Sequence, residues 1–191
     1  MAGGRNVAGT LAVMALSVAM GVSGAETGAF QASSPDIAAG QPIPGRFIYN
    51  GFGCAGQNVS PAVMWKNAPA GTRSFAVMVH DPDAPTGGAG FWHWVVVDLP
   101  AGTSLIAQGA GTAEGKRLPA GARQLATDFG TPGWGGPCPP QGDKPHRYHF
   151  TVYALKVEKL DLPATATASL AGFMINANTL ARATFTGTFG R

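Results

Sequence analysis

Charged residues are scarce in this sequence. They make up 12% of the 191 residues, against about a quarter in an average soluble domain. The longest run of basic residues is the pair Lys116–Arg117, and the formal net charge is only +3. A protein that follows a phosphate backbone needs clustered basic residues, so this composition excludes nucleic-acid binding.

Common catalytic motifs are also missing. The sequence contains neither G-x-S-x-G nor H-E-x-x-H, and its D-F-G triplet at Asp128 stands without any other kinase signature. We therefore expect a protein that is not an enzyme and that uses no cofactor.

No apolar run reaches the length of a membrane-spanning helix. The longest, residues 7–22, has about 16 residues, whereas a spanning helix needs roughly 20. Arg5 precedes this run and small residues follow it, which is the pattern of an export signal cleaved before Glu26. A retained membrane anchor is the alternative. We expect a signal peptide at residues 1–25 and one domain at residues 26–191, periplasmic or secreted and without a transmembrane anchor after cleavage.

Cysteine occurs only twice, at Cys54 and Cys138. The two lie far apart, without the close C-x-x-C spacing of a zinc or redox site. An exported chain matures where thiols oxidise, so the pair predicts one disulfide. Two separately buried thiols are the alternative.

The apolar patterns predict a mainly β domain with one C-terminal helix. Four runs rich in β-branched and aromatic residues predict strands, at residues 74–81, 91–100, 146–157 and 182–189. Helical spacing at residues 167–181 predicts a helix, and the apolar residues at that spacing are Leu170, Phe173, Met174, Ala177 and Leu180.

A Gly- and Pro-rich segment of some 45 residues, from Pro100 to His146, separates two of the predicted strands. It is too long for an ordinary connection, and segments of this length are usually functional.

Three of the predicted strands carry a polar residue near one end of an apolar face: Asp81, His93 and His146. The residues that alternation places on the same faces are Phe75, Val77 and Val79 for Asp81; Phe91, Val95, Val97 and Leu99 for His93; and Tyr148, Phe150 and Val152 for His146. If these ends converge, a carboxylate, two imidazoles and a phenol line one pocket. Separate hydrogen bonds to buried backbone groups are the alternative.

Several motifs together resemble one known family. They are D-P-D-A-P at residues 81–85, H-W at 93–94, a P-P loop, H-R-Y-H-F-T-V-Y-A-L from His146, and N-V-S-P-A-V-M-W at 58–65. The set is similar to the phosphatidylethanolamine-binding protein family, in particular its bacterial, Raf-kinase-inhibitor-like branch. The resemblance implies an antiparallel β-sandwich with short peripheral helices and a small anion pocket at one end.

Carried over to this sequence, the ligand-binding residues implied by the resemblance are Asp81, Asp83, His93, Pro139, Pro140, His146 and Tyr148. Imidazole N–H groups and a tyrosine hydroxyl can donate to phosphate oxygens. For Asp83 and Arg147, a structural salt bridge and ligand contact are both open. The segment G-D-K-P-H-R departs from the family's shorter pattern, which affects the shape of this loop.

The function implied is binding of a small anion, such as phosphate or the phosphoethanolamine headgroup of a phospholipid, by an exported protein. Two alternatives remain. The long segment could bind an extracytoplasmic protein, as an inhibitor does, or the Asp/His cluster could serve a hydrolase or a metal-dependent enzyme with Asp81, His93 and His146 as ligands.

Overall fold

The computed structural model describes residues 1–4 and 28–191, so nearly all of the expected signal peptide lies outside the described residues. In the described part of the chain, no helix has the length and apolarity needed to cross a bilayer. The elements, in chain order, are β1 (Gln31–Ser33), a 3₁₀ turn (Gly45–Phe47), β2 (Asn50–Gly51), β3 (Cys54–Ala55), β4 (Val63–Lys66), β5 (Ser74–Asp81), β6 (Phe91–Pro100), β7 (Leu105–Ile106), β8 (Arg123–Gln124), β9 (His146–Leu155), α1 (Ala168–Asn178) and β10 (Thr179–Phe189).

The strands form an antiparallel β-sandwich, as the resemblance implied. A five-stranded sheet has the order β10-β9-β5-β6-β8, and a three-stranded sheet has the order β1-β4-β7. The inner faces of the two sheets meet in the main core, which includes Val63 and Trp65 of β4, Val77 of β5 and Phe150 of β9. Helix α1 covers the opposite face of the larger sheet.

Pairing between strands decides where the strands end. The first two predicted strands have the predicted bounds, whereas β9 ends at Leu155, two residues early, and β10 begins at Thr179, three residues early. Leu155 pairs with both Ser74, the first residue of β5, and Thr179. The paired region of these three strands therefore ends at Ser74, Leu155 and Thr179.

The alternation predicted around His93 was wrong in part. The register between β5 and β6 shifts by one residue beside His93. As a result, His93 and its neighbour Trp94 both face the main core, where their ring centroids lie 6.5 and 5.9 Å from that of Trp134. Val95 and Val97, predicted to share a face with His93, pack instead in the core beneath α1. An extra residue in one strand reverses which side chains point inward after it.

The predicted apolar face of the helix was also wrong. Helix α1 begins after Thr167, whose hydroxyl accepts the N–H of Leu170, and it buries Ala168, Ala171 and Ile175. Phe173, expected on the buried face, is 70% exposed. The face of the helix that packs on the sheet carries mainly small side chains, so the face that carries Phe173 is exposed to solvent.

Candidate functional site

The predicted polar residues meet around one cavity at an end of the sandwich. The cavity has a volume of about 150 Å³. Six of the seven predicted residues line it: Asp81, His93, Pro139, Pro140, His146 and Tyr148. Asp81, His93, His146 and Tyr148 are all buried, because each stands at or near a strand end on the core side of the larger sheet.

Asp81, the last residue of β5, is held by hydrogen bonds on both carboxylate oxygens. Its Oδ1 accepts the backbone N–H of Asp83 at 2.8 Å, and its Oδ2 lies 2.7 Å from Nδ1 of His146. A buried carboxylate is tolerated only with such partners. These bonds tie the loop after β5 to the start of β9.

His146 faces a carboxylate at each of its ring nitrogens. Besides the contact with Asp81, its Nε2 lies 3.3 Å from Oδ2 of Asp143. Sequence reasoning missed Asp143, although it belongs to the G-D-K-P-H-R segment in which the chain departs from the family pattern. Because both ring nitrogens face protein carboxylates, His146 is not the free N–H donor expected from the sequence.

His93 is held by the long segment between β6 and β9. Its Nδ1 lies 2.6 Å from the carbonyl oxygen of Gly135. Only an N–H can approach a carbonyl oxygen this closely, so Nδ1 carries the proton. Burial lowers the pKa of His93 to about 4, although the Gly135 carbonyl and the charge of Asp81 oppose this shift. The ring is therefore neutral near pH 7, with a lone pair on Nε2.

Gly135 can reach His93 because it lacks a side chain. A Cβ at this position would collide with the ring of Phe129. Phe129 is the middle residue of the D-F-G triplet and packs edge-on against His93, with ring centroids 5.5 Å apart. The long segment, predicted to be functional from its length, thus supplies one wall of the cavity.

The Tyr148 hydroxyl is the unusual group of the site. It is buried and makes no well-formed hydrogen bond in the part of the chain that the structure describes, although it lies near the carboxylate of Asp81. Burial raises the pKa of Tyr148, and the nearby carboxylate of Asp81 raises it further by its charge and by a weak hydrogen bond with the hydroxyl, so the hydroxyl stays protonated. A buried hydroxyl without a well-formed hydrogen bond costs free energy, so this group gains by donating to a better-placed acceptor.

Asp83 does not line the cavity. It forms a two-pronged salt bridge with Arg147, whose Nη2 and Nε lie 2.7 and 2.9 Å from the two carboxylate oxygens. The guanidinium lowers the pKa of Asp83 to about 2. Of the two roles left open for this pair, the structure shows the salt bridge.

The mouth of the cavity is aromatic and is braced by the predicted disulfide, which joins Cys54 to Cys138. Cys138 itself lines the cavity, next to Pro139. Cys54 belongs to the β2–β3 hairpin, whose turn carries Phe52, 71% exposed at the mouth. Sequence reasoning named neither Phe52 nor Phe129 as site residues, since isolated aromatic residues usually indicate core packing.

A second, larger cleft of about 490 Å³ lies on the other side of Phe129. Among the described residues that line it, Arg117 is the only charged one, and no cluster of titratable side chains lies there. The smaller cavity is the candidate functional site, because the paired carboxylate, the imidazoles and the free phenol converge there. Across residues 1–4 and 28–191, no group of three or more His, Cys, Asp or Glu side chains is arranged to hold a metal ion.

Comparison with known proteins identifies similar chains. A family profile described as "Phosphatidylethanolamine-binding protein" matches residues 33–190. The chain is 47% identical to the UPF0098 protein YbcL of Escherichia coli K12 over 165 residues, covering 86% of this chain and 90% of that one. It is 46% identical to the UPF0098 protein YbhB of the same organism, covering 82% and 97% of the two chains.

A third relative and one solved structure extend the comparison. The putative lipoprotein LppC of Mycobacterium tuberculosis H37Rv is 39% identical over 157 residues, covering 82% of this chain and 70% of LppC. The crystal structure of E. coli YbcL, described as a new member of the mammalian PEBP family, superimposes with a TM-score of 0.82 and covers 85% of this chain and 98% of that one.

Proposed function

Because the chain belongs to the phosphatidylethanolamine-binding protein family, we propose that it binds a small phosphate-bearing ligand in the cavity formed by Asp81, His93, His146 and Tyr148. The ligand is phosphate itself or a phosphorylated headgroup. The protein acts as a binding protein without catalysis.

One observation carries this proposal: the buried Tyr148 hydroxyl lines the cavity without a well-formed hydrogen bond to any described residue. A phosphate oxygen placed against this hydroxyl completes its hydrogen bonding, and a bond between a neutral donor and an ionised acceptor is among the stronger ones in proteins. The ligand thereby supplies the partner that the protein lacks.

The size of the cavity supports a ligand group of a few heavy atoms. Its volume of about 150 Å³ corresponds to roughly five water molecules at about 30 Å³ each. A phosphate group fits such a space. The exposed Phe52 and the other aromatic residues at the mouth leave room for the rest of a larger ligand to lie outside.

We expect Tyr148→Phe to weaken binding of phosphoethanolamine at pH 5.5 at least tenfold without loss of stability. A hydrogen bond to a charged group contributes roughly 1.5–3 kcal/mol, which is a factor of about 10 or more in affinity. Folding should be unchanged or improved, since the variant removes a buried hydroxyl that has no well-formed hydrogen bond within the protein. Isothermal titration calorimetry and thermal melts measure the two effects.

Tyr153→Phe is the matched control, because Tyr153 lies in the same strand but packs against the core under α1. It should leave the affinity unchanged. Equal affinity of the wild type and Tyr148→Phe would show that the ligand does not use this hydroxyl. No binding by the wild type would favour the alternative in which the long segment recognises a protein partner.

The proposal includes export of the protein. The apolar N-terminal segment, the Cys54–Cys138 disulfide and the naming of LppC as a putative lipoprotein all favour an extracytoplasmic location. We expect the exported form to begin at Glu26, which its intact mass would establish. Recovery of the full-length chain in the membrane fraction would instead favour a retained anchor.

A further inference from the structure

The hydrogen bonds among the side chains that line the cavity determine which donors and acceptors a ligand must supply. Both ring nitrogens of His146 face carboxylates, and Nδ1 of His93 donates to the carbonyl of Gly135. The hydroxyl of Thr86 donates to the carbonyl of Gly90 at 3.0 Å. Among the described side chains that line the cavity, Tyr148 is thus the donor whose hydrogen bond is not already well formed, with only the nearby carboxylate of Asp81 as an internal acceptor.

The cavity also presents a free acceptor. Because the proton of His93 is on Nδ1, its Nε2 carries a lone pair, and the backbone contacts of the ring are to the adjacent Gly135 and Gly136. The carboxylate of Asp81 adds negative charge to the same wall. A ligand that only accepts hydrogen bonds therefore satisfies Tyr148 but meets an unpaired lone pair and a like charge.

A tetrahedral oxyanion that keeps one hydrogen matches both groups. One of its P–O oxygens accepts from Tyr148, while its P–OH donates to Nε2 of His93. Sulfate and phosphodiesters have no hydrogen to donate, and a phosphate dianion adds a second negative charge beside Asp81.

We infer that the cavity selects the monoprotonated form of phosphate and of phosphomonoesters over oxyanions without a hydrogen, and that Nε2 of His93 is the group that makes this selection. The inference rests on the proposed function and names the ligand class of the same site.

The charges around His93 are consistent with a neutral ring. The titratable groups nearest to it are Asp81, His146 and Tyr148 around the cavity and His80 on the neighbouring strand. Asp81 favours the charged imidazolium, but burial outweighs it and lowers the pKa to about 4. The long segment packed on the other side contributes the Gly135 carbonyl and aromatic rings, which do not titrate.

The test compares methyl phosphate with dimethyl phosphate by calorimetry at pH 5. Both carry a single negative charge at this pH, because the second pKa of a phosphomonoester is about 6. They differ in whether a P–OH is present. We expect methyl phosphate to bind at least tenfold more tightly. Raising the pH to 7.5 should weaken its binding about thirtyfold, as the monoanion fraction falls, and should leave dimethyl phosphate unaffected.

Proton counting tests the same point without a variant. Titration in two buffers of different ionisation enthalpy should show no net proton uptake when methyl phosphate binds at pH 5, and uptake approaching one proton at pH 7.5. Uptake of a full proton at pH 5 would mean that His93 becomes an imidazolium, and it would overturn the inference.

His93→Phe keeps a ring in the cavity wall and removes the acceptor. If it folds, as a thermal melt shows, it should bind the two methyl esters with similar affinity. Persistence of the tenfold preference in this variant would assign the selection to another group.

Failure of the inference can be told apart from failure of the proposed function. Equal binding of methyl and dimethyl phosphate by the wild type overturns the inference and leaves a phosphate site in place. Tighter binding of glycerophosphoethanolamine, a diester with an ammonium group, would overturn it in favour of an ammonium donor. If none of these compounds binds, both proposals fail.

Discussion

Replacing Cys54 and Cys138 together with serine should lower the free energy of unfolding by about 4 kcal/mol. The disulfide closes a loop with a sequence separation of 84, and a cross-link over so long a loop removes much of the conformational entropy of the unfolded chain. For a domain of this size, such a loss corresponds to a fall in Tm of about 10 °C. Urea unfolding at neutral pH, monitored by tryptophan fluorescence, measures the change.

The disulfide also positions the site, so the double variant should bind phosphoethanolamine more weakly. Cys138 lines the cavity beside Pro139, and the bond fixes this loop to the hairpin that carries Phe52. A reductant supplies the control, since it should destabilise the wild type and leave the variant unaffected. Equal stability of the two proteins under oxidising conditions would mean that the disulfide does not constrain the fold.

Lowering the pH from 6.5 to 4 should destabilise the protein by about 3 kcal/mol through His93 alone. The pKa of this side chain is lowered from 6.5 to about 4 by burial, so between these values the unfolded chain binds a proton that the folded chain does not. Stability therefore rises with pH across this window, by up to about 1.4 kcal/mol per pH unit for one proton, and it is fully present above pH 6.5. Chemical denaturation at half-unit intervals of pH measures the slope.

The variant His93→Gln isolates this contribution, because a glutamine amide can donate to Gly135 but does not titrate. Burial also lowers the pKa of His149, so part of the pH dependence should survive in the variant. Asp83, with a pKa lowered to about 2 by Arg147, loses its contribution mainly below this window. Parallel stability curves for the wild type and His93→Gln would show that His93 does not resist protonation in the folded state.

Much of the sheet could be predicted from the sequence, because strand formation depends on local properties. β-Branched and aromatic residues bounded by proline and glycine identified β5 and β6 with the bounds that the structure shows. The alternation in β9 correctly placed His146 and Tyr148 on the core face. From these patterns and the family motifs, seven ligand-binding residues were predicted, and six of them line one cavity in the structure.

Helix α1 is a case in which the local sequence pattern did not predict the buried face. Two faces of α1 carry apolar residues, and the spacing alone favoured the one with Phe173. The choice depended on which face fits the core beneath the helix, to which β5, β6 and β9 contribute residues, most of them distant in sequence. Exposure of Phe173 and burial of Ile175 follow from that fit.

The amino-acid sequence by itself determined the strands, the cysteine pair and the kinds of polar group at the site, since these depend on residue type and spacing. Tertiary structure decided what each polar group does. The register shift in β6 places His93 on the core side of the sheet. The carbonyl of Gly135 accepts from Nδ1 of His93 and so fixes the proton on that nitrogen. Asp143 lies against the second ring nitrogen of His146. Within the described part of the chain, Tyr148 was left without a well-formed hydrogen bond. The pairing of β6 with β5 and the path of the long segment past His93 join residues far apart in sequence, and no local pattern encodes which hydrogen bonds they form.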